Sequence, residues 1–223
     1  MSFFWYISTT KVDALSQQYS RNMLDVFRGL SIKLKSPVAE ADLTLAPPQP
    51  DLIKRLRRIE QKVISDAQPP PFSTLRDSVP LPPFFSFRGP GARMVNDEEF
   101  WLATHSGEVA LVLVGAARNT LSTTPQRPLL SPTVDPLGTV LRRANEPSLS
   151  PYDADTDEID VSCSYAWQAV MRHNGQHKLA LPIVTGLAVS VASVNAKPAQ
   201  VRRTGIAGIR HLVIGTPLFV EQI

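Results

Sequence analysis

Short apolar and alternating runs along the chain predict β-strands, because successive side chains of a strand point to opposite faces of a sheet. The predicted strands are residues 3–8, 30–35, 84–87, 100–104, 109–114, 187–194 and 212–221. Residues 109–114 are apolar at every position, which predicts a central strand buried on both faces. The preceding His105-Ser106-Gly107-Glu108 predicts a hairpin turn.

Apolar residues at intervals of three and four positions predict helices between these strands. The clearest repeat follows Asp51 and consists of Leu52, Leu56, Ile59 and Val63. Further helices are predicted over residues 12–27, 135–143 and 159–173. The first of these follows a run of hydroxyl side chains that suits a helix N-cap.

The order of strands and helices favours an α+β fold over a purely parallel one. We predict a single domain over residues 1–223, in which helices flank a central mixed β-sheet; a mixed-sheet α/β domain is the alternative. The last predicted strand contains Gly215-Thr216-Pro217, and proline cannot donate to a strand ladder, so a bulge or bend is expected there. This strand should pair with residues 111–114 or 187–191 and tie the two halves of the chain together.

Proline is frequent, with 20 residues in the chain, and two segments are rich in it: residues 69–83 and residues 125–136. Such segments adopt extended conformations that bind partners at a low cost in ordering. One hypothesis is therefore a protein–protein adaptor that docks these segments onto a partner or a second copy of the chain. If they pack flat on their own domain instead, they are struts.

Charge and amino-acid composition argue against several classes of function for this protein. A net charge of +3, from 23 Lys and Arg against 20 Asp and Glu, is too even to indicate a nucleic-acid binder. The single Cys163 cannot form an internal disulfide, and no His/Cys cluster has the spacing of a zinc site. The apolar N-terminus lacks a basic segment, and no apolar run reaches the ~20 residues of a membrane-spanning helix. These features predict a soluble, cytoplasmic protein with no metal, cofactor or membrane partner.

Two segments predict an anion site. Ser8-Thr9-Thr10-Lys11 stands where a strand leads into a helix, so hydroxyls, backbone N–H groups and one cation can converge on a phosphate or carboxylate. Arg88-Gly89-Pro90-Gly91-Ala92-Arg93 adds two guanidinium groups on a predicted glycine-rich turn, and His105 completes the candidate set. If this hypothesis holds, Lys11, Arg88 and Arg93 surround one concavity that binds an anionic small molecule or a nucleotide. The alternatives are a plain helix cap and a tight β-connection with solvent-facing arginines.

A small hydrolase-type enzyme is the remaining hypothesis. Its candidate groups are Ser106 beside His105, Cys163, His173, His177, His211, Asp97 and Glu98. Adjacent residues on a strand point apart, and the chain has no G-x-S-x-G nucleophile elbow. The sequence therefore favours a non-catalytic ligand-sensing or interaction domain.

Four motifs resemble those of an uncharacterised bacterial family, a domain of unknown function found mainly in actinobacteria. They are YISTTKVD at residue 6, FRGPGAR at residue 87, SYAWQAVMR at residue 164 and VIGTPLFVEQ at residue 213. The resemblance spans nearly the whole chain and implies one domain. It also implies a role in sensing or interaction within regulatory or defence systems, and it supplies no catalytic residue.

Overall fold

The computed structural model describes residues 3–19, 50–75, 80–96, 98–121, 136, 138–140, 159–176, 181–198, 201 and 206–223. Within them, seven strands form one mixed sheet with helices packed against it, which confirms the predicted α+β class. The strands are β1 (Phe3–Ile7), β2 (Phe84–Pro90), β3 (Ala92–Val95), β4 (Glu99–Ser106), β5 (Val109–Ala116), β6 (Ile183–Asn195) and β7 (His211–Gln222). The helices discussed below are α1 (Thr9–Tyr19), α2 (Pro50–Ala67) and α3 (Ile159–Gln176).

Strand β7 lies at the centre of the sheet. The strand order is β2-β6-β7-β5-β4-β3, and β1 also pairs with β7. β7 runs antiparallel to β6 along its length, parallel to β5 through its first half and antiparallel to β1 through its second half. This confirms the predicted pairing of the C-terminal strand. The predicted bulge is present too, because the register between β6 and β7 shifts at Leu187/Ala188, next to Pro217.

The sheet is strongly curled. β2 and β3 stand at opposite ends of the strand order, yet Gly91 is the only residue between them. Consecutive Cα atoms are about 3.8 Å apart, so the two ends of the strand order must approach within about 8 Å at Gly91. Residues 84–95 thus act as one bent strand, which pairs with β6 through its first half and with β4 through its second.

This bent strand corrects one prediction. The Gly-Pro-Gly sequence suggested a turn, but no turn forms there. Gly89 and Gly91 allow close packing instead. A Cβ on Gly89 would lie 2.5 Å from the Thr104 side chain, and one on Gly91 would lie 2.6 Å from the Val184 side chain. The ladders to β6 and β4 on either side of the bend outweigh the local turn preference of glycine and proline.

The curl divides the apolar side chains into an interior and two outer layers. The interior cluster draws residues from β1, β2, β4, β5, β6 and β7, among them Tyr6, Phe85 and Phe100. One outer face of the sheet packs against α3, and the other packs against α1 and α2. β5 is buried at every position, as its apolar sequence predicts.

The first proline-rich segment is packed against its own sheet where it is described. Phe72 and Leu75 are buried in the interior cluster, and the Ser86 N–H donates to the Pro70 carbonyl at 3.0 Å. This arrangement favours a strut for residues 69–75. The segment 125–136 lies outside the described residues except for Pro136, and the predicted strand at residues 30–35 lies outside them entirely.

Candidate functional site

The two arginines of the FRGPGAR motif lie on opposite faces of the sheet. They are five positions apart in one bent strand whose side chains alternate. Phe87 and Val95 belong to the interior cluster, whereas Phe84 and Met94 pack in the outer layers. Arg88 therefore points outward and Arg93 points to the interior side. The structure does not bring them together around one anion.

Lys11 lies apart from both arginines in a structural position. Helix α1 begins at Thr9, three residues earlier than predicted, and the Val12 N–H donates to the carbonyl of the buried Ser8. Lys11 Nζ donates to Thr216 Oγ1 at 2.6 Å and to the Pro217 carbonyl at 3.0 Å. Burial lowers the pKa of Lys11 to about 7. The Lys11 ammonium thus donates to polar groups at the bend of β7, between the part of β7 that pairs with β5 and the part that pairs with β1.

The other predicted site residues are spread along the chain. Thr9 is half-buried and Thr10 is exposed on the first turn of α1. His105 lies near the end of β4, where its carbonyl would be 2.9 Å from a Cβ on Gly89, and burial lowers the pKa of its imidazole. These residues do not line one concavity with Arg93.

Arg93 is exposed on the interior side of the sheet, where it contacts an aromatic ring. Its guanidinium carbon lies 4.8 Å from the centre of the Trp5 ring. Trp5 Nε1 in turn donates to Gln222 Oε1 at 3.0 Å. Because an indole N–H can only donate, this bond turns the Gln222 NH₂ group away from Trp5 as a second donor. No sequence pattern indicates Trp5 or Gln222 as site residues, since an aromatic residue in an apolar run is typical of a core and Gln222 is 217 positions away from Trp5.

The charge of Arg93 is not neutralised within the described part of the chain. No described carboxylate pairs with its guanidinium, and no hydrogen bond from this group to a described residue is formed. Partial burial lowers its pKa, which means that the charged form has lost part of its hydration. A partly desolvated cation without a counterion favours an anion in its place.

Asn174 of α3 holds the backbone at Arg93. Its Nδ2 donates to the Arg93 carbonyl at 2.8 Å and to the Val170 carbonyl at 3.1 Å, and its Oδ1 accepts from the Arg93 N–H at 3.4 Å. One buried amide thus satisfies both backbone groups on the free edge of β3. The Cα of Arg93 is thereby fixed relative to the helix as well as to the sheet.

A separate groove of about 440 Å³ lies between α2 and the outer face of β2 and β6, with Ile64, Ser86 and Thr185 among its lining residues. Its acidic side chain, Glu60, is paired with Arg57 at 2.8 Å. That arginine also binds Glu221 at 2.7 Å, so it fastens α2 to β7. The acidic group of this groove is therefore already paired, whereas the guanidinium of Arg93 is not paired with a described carboxylate.

The described residues form no catalytic arrangement that supports the hydrolase hypothesis. Burial raises the pKa of the Cys163 thiol to about 12, so it is not a thiolate near neutral pH. His105 and Ser106 are neighbours on β4 and point to opposite faces. Asp97 and His177 lie outside the described residues. No three metal-ligating side chains cluster in the part of the chain that is described.

The fold and this site define an α+β protein with a curled mixed sheet and a cation exposed at one end of its interior. None of the helices within the described ranges is long and apolar enough to cross a membrane. The chain belongs to the family of unknown function DUF7019, which it matches over residues 2–223. No curated protein and no solved structure matches it.

Proposed function

We propose that this protein is a non-catalytic binding domain that holds a carboxylate or phosphate group on Arg93. The observation that supports this proposal is the guanidinium of Arg93, which lies over the Trp5 ring and has no counterion among the described residues. It lies 4.8 Å from the ring centre of Trp5 at the end of the sheet interior.

The contact with Trp5 leaves the guanidinium available to an anion. Its carbon lies 4.8 Å from the ring centre, and none of its N–H donors is hydrogen-bonded to a described residue. Two parallel N–H donors match the two oxygens of a carboxylate or phosphate. The Gln222 NH₂ group supplies a further donor at the edge of the same indole ring.

Neighbouring residues hold both the side chain and the backbone of Arg93. The ring of Trp5, which is 6% exposed, supports the side chain, and Asn174 fixes the backbone through two hydrogen bonds. A binding group that is held in advance loses less conformational entropy when its ligand arrives. Arg88 is the contrasting case, because it is equally exposed but points to the opposite face, away from Trp5.

Calorimetric titration tests the proposal. The probes are sodium acetate, inorganic phosphate, 2-naphthoate and 1-naphthyl phosphate, each at constant ionic strength. Arg93→Gln removes the charge, and Arg88→Gln is the matched control from the same bent strand. We expect wild type and Arg88→Gln to bind at least one of these anions, and Arg93→Gln to bind it roughly tenfold more weakly or worse. Equal affinity in Arg93→Gln, or no binding of any probe to wild type, would refute the proposal.

A further inference from the structure

Phe3 is exposed beside the Arg93 region. Its exposed fraction is 49%, whereas the other four residues of β1 are buried. A large aromatic side chain that remains in water at the end of a strand is a favourable surface for a flat apolar partner.

The strand register places Phe3 on the same side of the sheet as the anion donors. Phe3 pairs directly with Gln222, so their side chains share one face. Two positions earlier in β7, Val220 belongs to the interior cluster, which puts Gln222 and Phe3 on the interior side. Gln222 is also hydrogen-bonded to Trp5, whose ring carries Arg93. Phe3, Gln222, Trp5 and Arg93 are therefore successive neighbours on the interior side of the sheet.

Ile183, an exposed isoleucine at the same end of the sheet, lies on the other face. Ile183 precedes the interior residue Val184 in β6, so its side chain points outward, and its exposed fraction is 42%. Phe3 thus differs from Ile183 in that its aromatic ring lies on the interior side, the side of the Arg93 cation and the Gln222 amide.

We propose, on the basis of the proposed function, that the natural ligand is an anion attached to a flat apolar group, bound with its carboxylate or phosphate on Arg93 and Gln222 and its flat group against Phe3. A simple inorganic anion would use the donors and leave Phe3 in water. An aryl anion uses both parts of the surface at once. Arg93 would bind a carboxylate and a phosphate through the same donors. The flat apolar group is therefore what distinguishes this class of ligand from simple anions.

The test separates charge from apolar contact by titrating five probes into the full chain. Two are aryl anions, 2-naphthoate and 1-naphthyl phosphate; two are small anions, acetate and inorganic phosphate; the fifth is the neutral 2-naphthalenemethanol. The variants are Phe3→Ala, with Ile183→Ala as the control for an exposed apolar residue at the same end of the sheet, and Arg93→Gln, with Arg88→Gln as its control. Melting temperatures establish that each variant is folded.

We expect the aryl anions to bind roughly tenfold or more tightly than acetate and phosphate, and Phe3→Ala and Arg93→Gln each to weaken them by about tenfold. The control variants should keep wild-type affinity. If all anions bind alike and Phe3→Ala has no effect, the anion site stands and the ligand class is wrong. If the neutral alcohol binds as tightly as 2-naphthoate and Arg93→Gln has no effect, both proposals fail. Comparison of the two aryl anions distinguishes a carboxylate from a phosphate ligand.

Discussion

Replacing Lys11 by methionine tests whether its ammonium group holds the bend of β7. Lys11 Nζ donates to Thr216 Oγ1 and to the Pro217 carbonyl, and burial lowers its pKa to about 7 from the ordinary lysine value of 10.5, which applies to the unfolded chain. Between these two values the unfolded chain binds more protons than the folded protein. The free energy of unfolding must therefore rise with pH through this window, and Lys11→Met must abolish that rise.

The size of the effect follows from the lowered pKa. A difference of one full proton changes the free energy of unfolding by about 1.4 kcal/mol per pH unit. Because folded Lys11 is half protonated near its pKa of about 7, integration from about pH 7 to about pH 8.5 gives a gain of about 1.7 kcal/mol. Loss of the donor to the Pro217 carbonyl costs Lys11→Met about 1–3 kcal/mol at every pH, which displaces its profile without adding a slope.

Urea unfolding at a series of pH values measures this difference. We expect the free energy of unfolding of wild type to rise by about 1.7 kcal/mol relative to that of Lys11→Met from about pH 7 to about pH 8.5. Lys54→Met, at an exposed position of α2, is the matched control and should follow wild type. The buried Cys163 contributes equally to all three proteins, so its titration cancels. Parallel profiles for wild type and Lys11→Met would show that Lys11 is not desolvated as described.

Three further perturbations test the fold and the support of the site. In Gly115→Ala the new Cβ would lie 2.5 Å from Tyr6 Oη, so we expect a loss of about 1–3 kcal/mol in the free energy of unfolding. Gly175→Ala is the control and should not destabilise the protein, because no atom lies within 4 Å of the new Cβ. Equal effects of the two substitutions would contradict the interior packing. Asn174→Ala should lower the melting temperature and weaken 2-naphthoate binding, because the edge groups of Arg93 lose their partner; unchanged affinity would show that Arg93 does not need this support. Deleting residues 212–223 removes most of β7, which pairs with β1, β5 and β6, so we expect no cooperative melt; a soluble product that melts like wild type would refute its central place.

Part of the candidate site was predictable from the sequence. Guanidinium groups beside glycines are typical of anion binding, which indicates Arg93, and the Arg93 side chain is exposed in the structure. Local patterns alone group Lys11 and Arg88 with it. The actual neighbours, Trp5 and Gln222, come from strands at the two ends of the described chain, so no local pattern could join them to Arg93.

The sequence by itself determined the local elements. Alternation located β1, the full burial of β5 followed from its apolar run, and helical spacing located α2, because these periodicities depend only on residues close together in the chain. Only the tertiary structure decided that residues 84–95 form one bent strand and that the sheet curls at Gly91. Alternation separates the two faces of a strand, but it does not say which strands pair or which face becomes concave. Hydrogen bonding between distant segments decides these pairings. It makes residues 84–95 one strand, in which Arg88 and Arg93 lie on opposite faces.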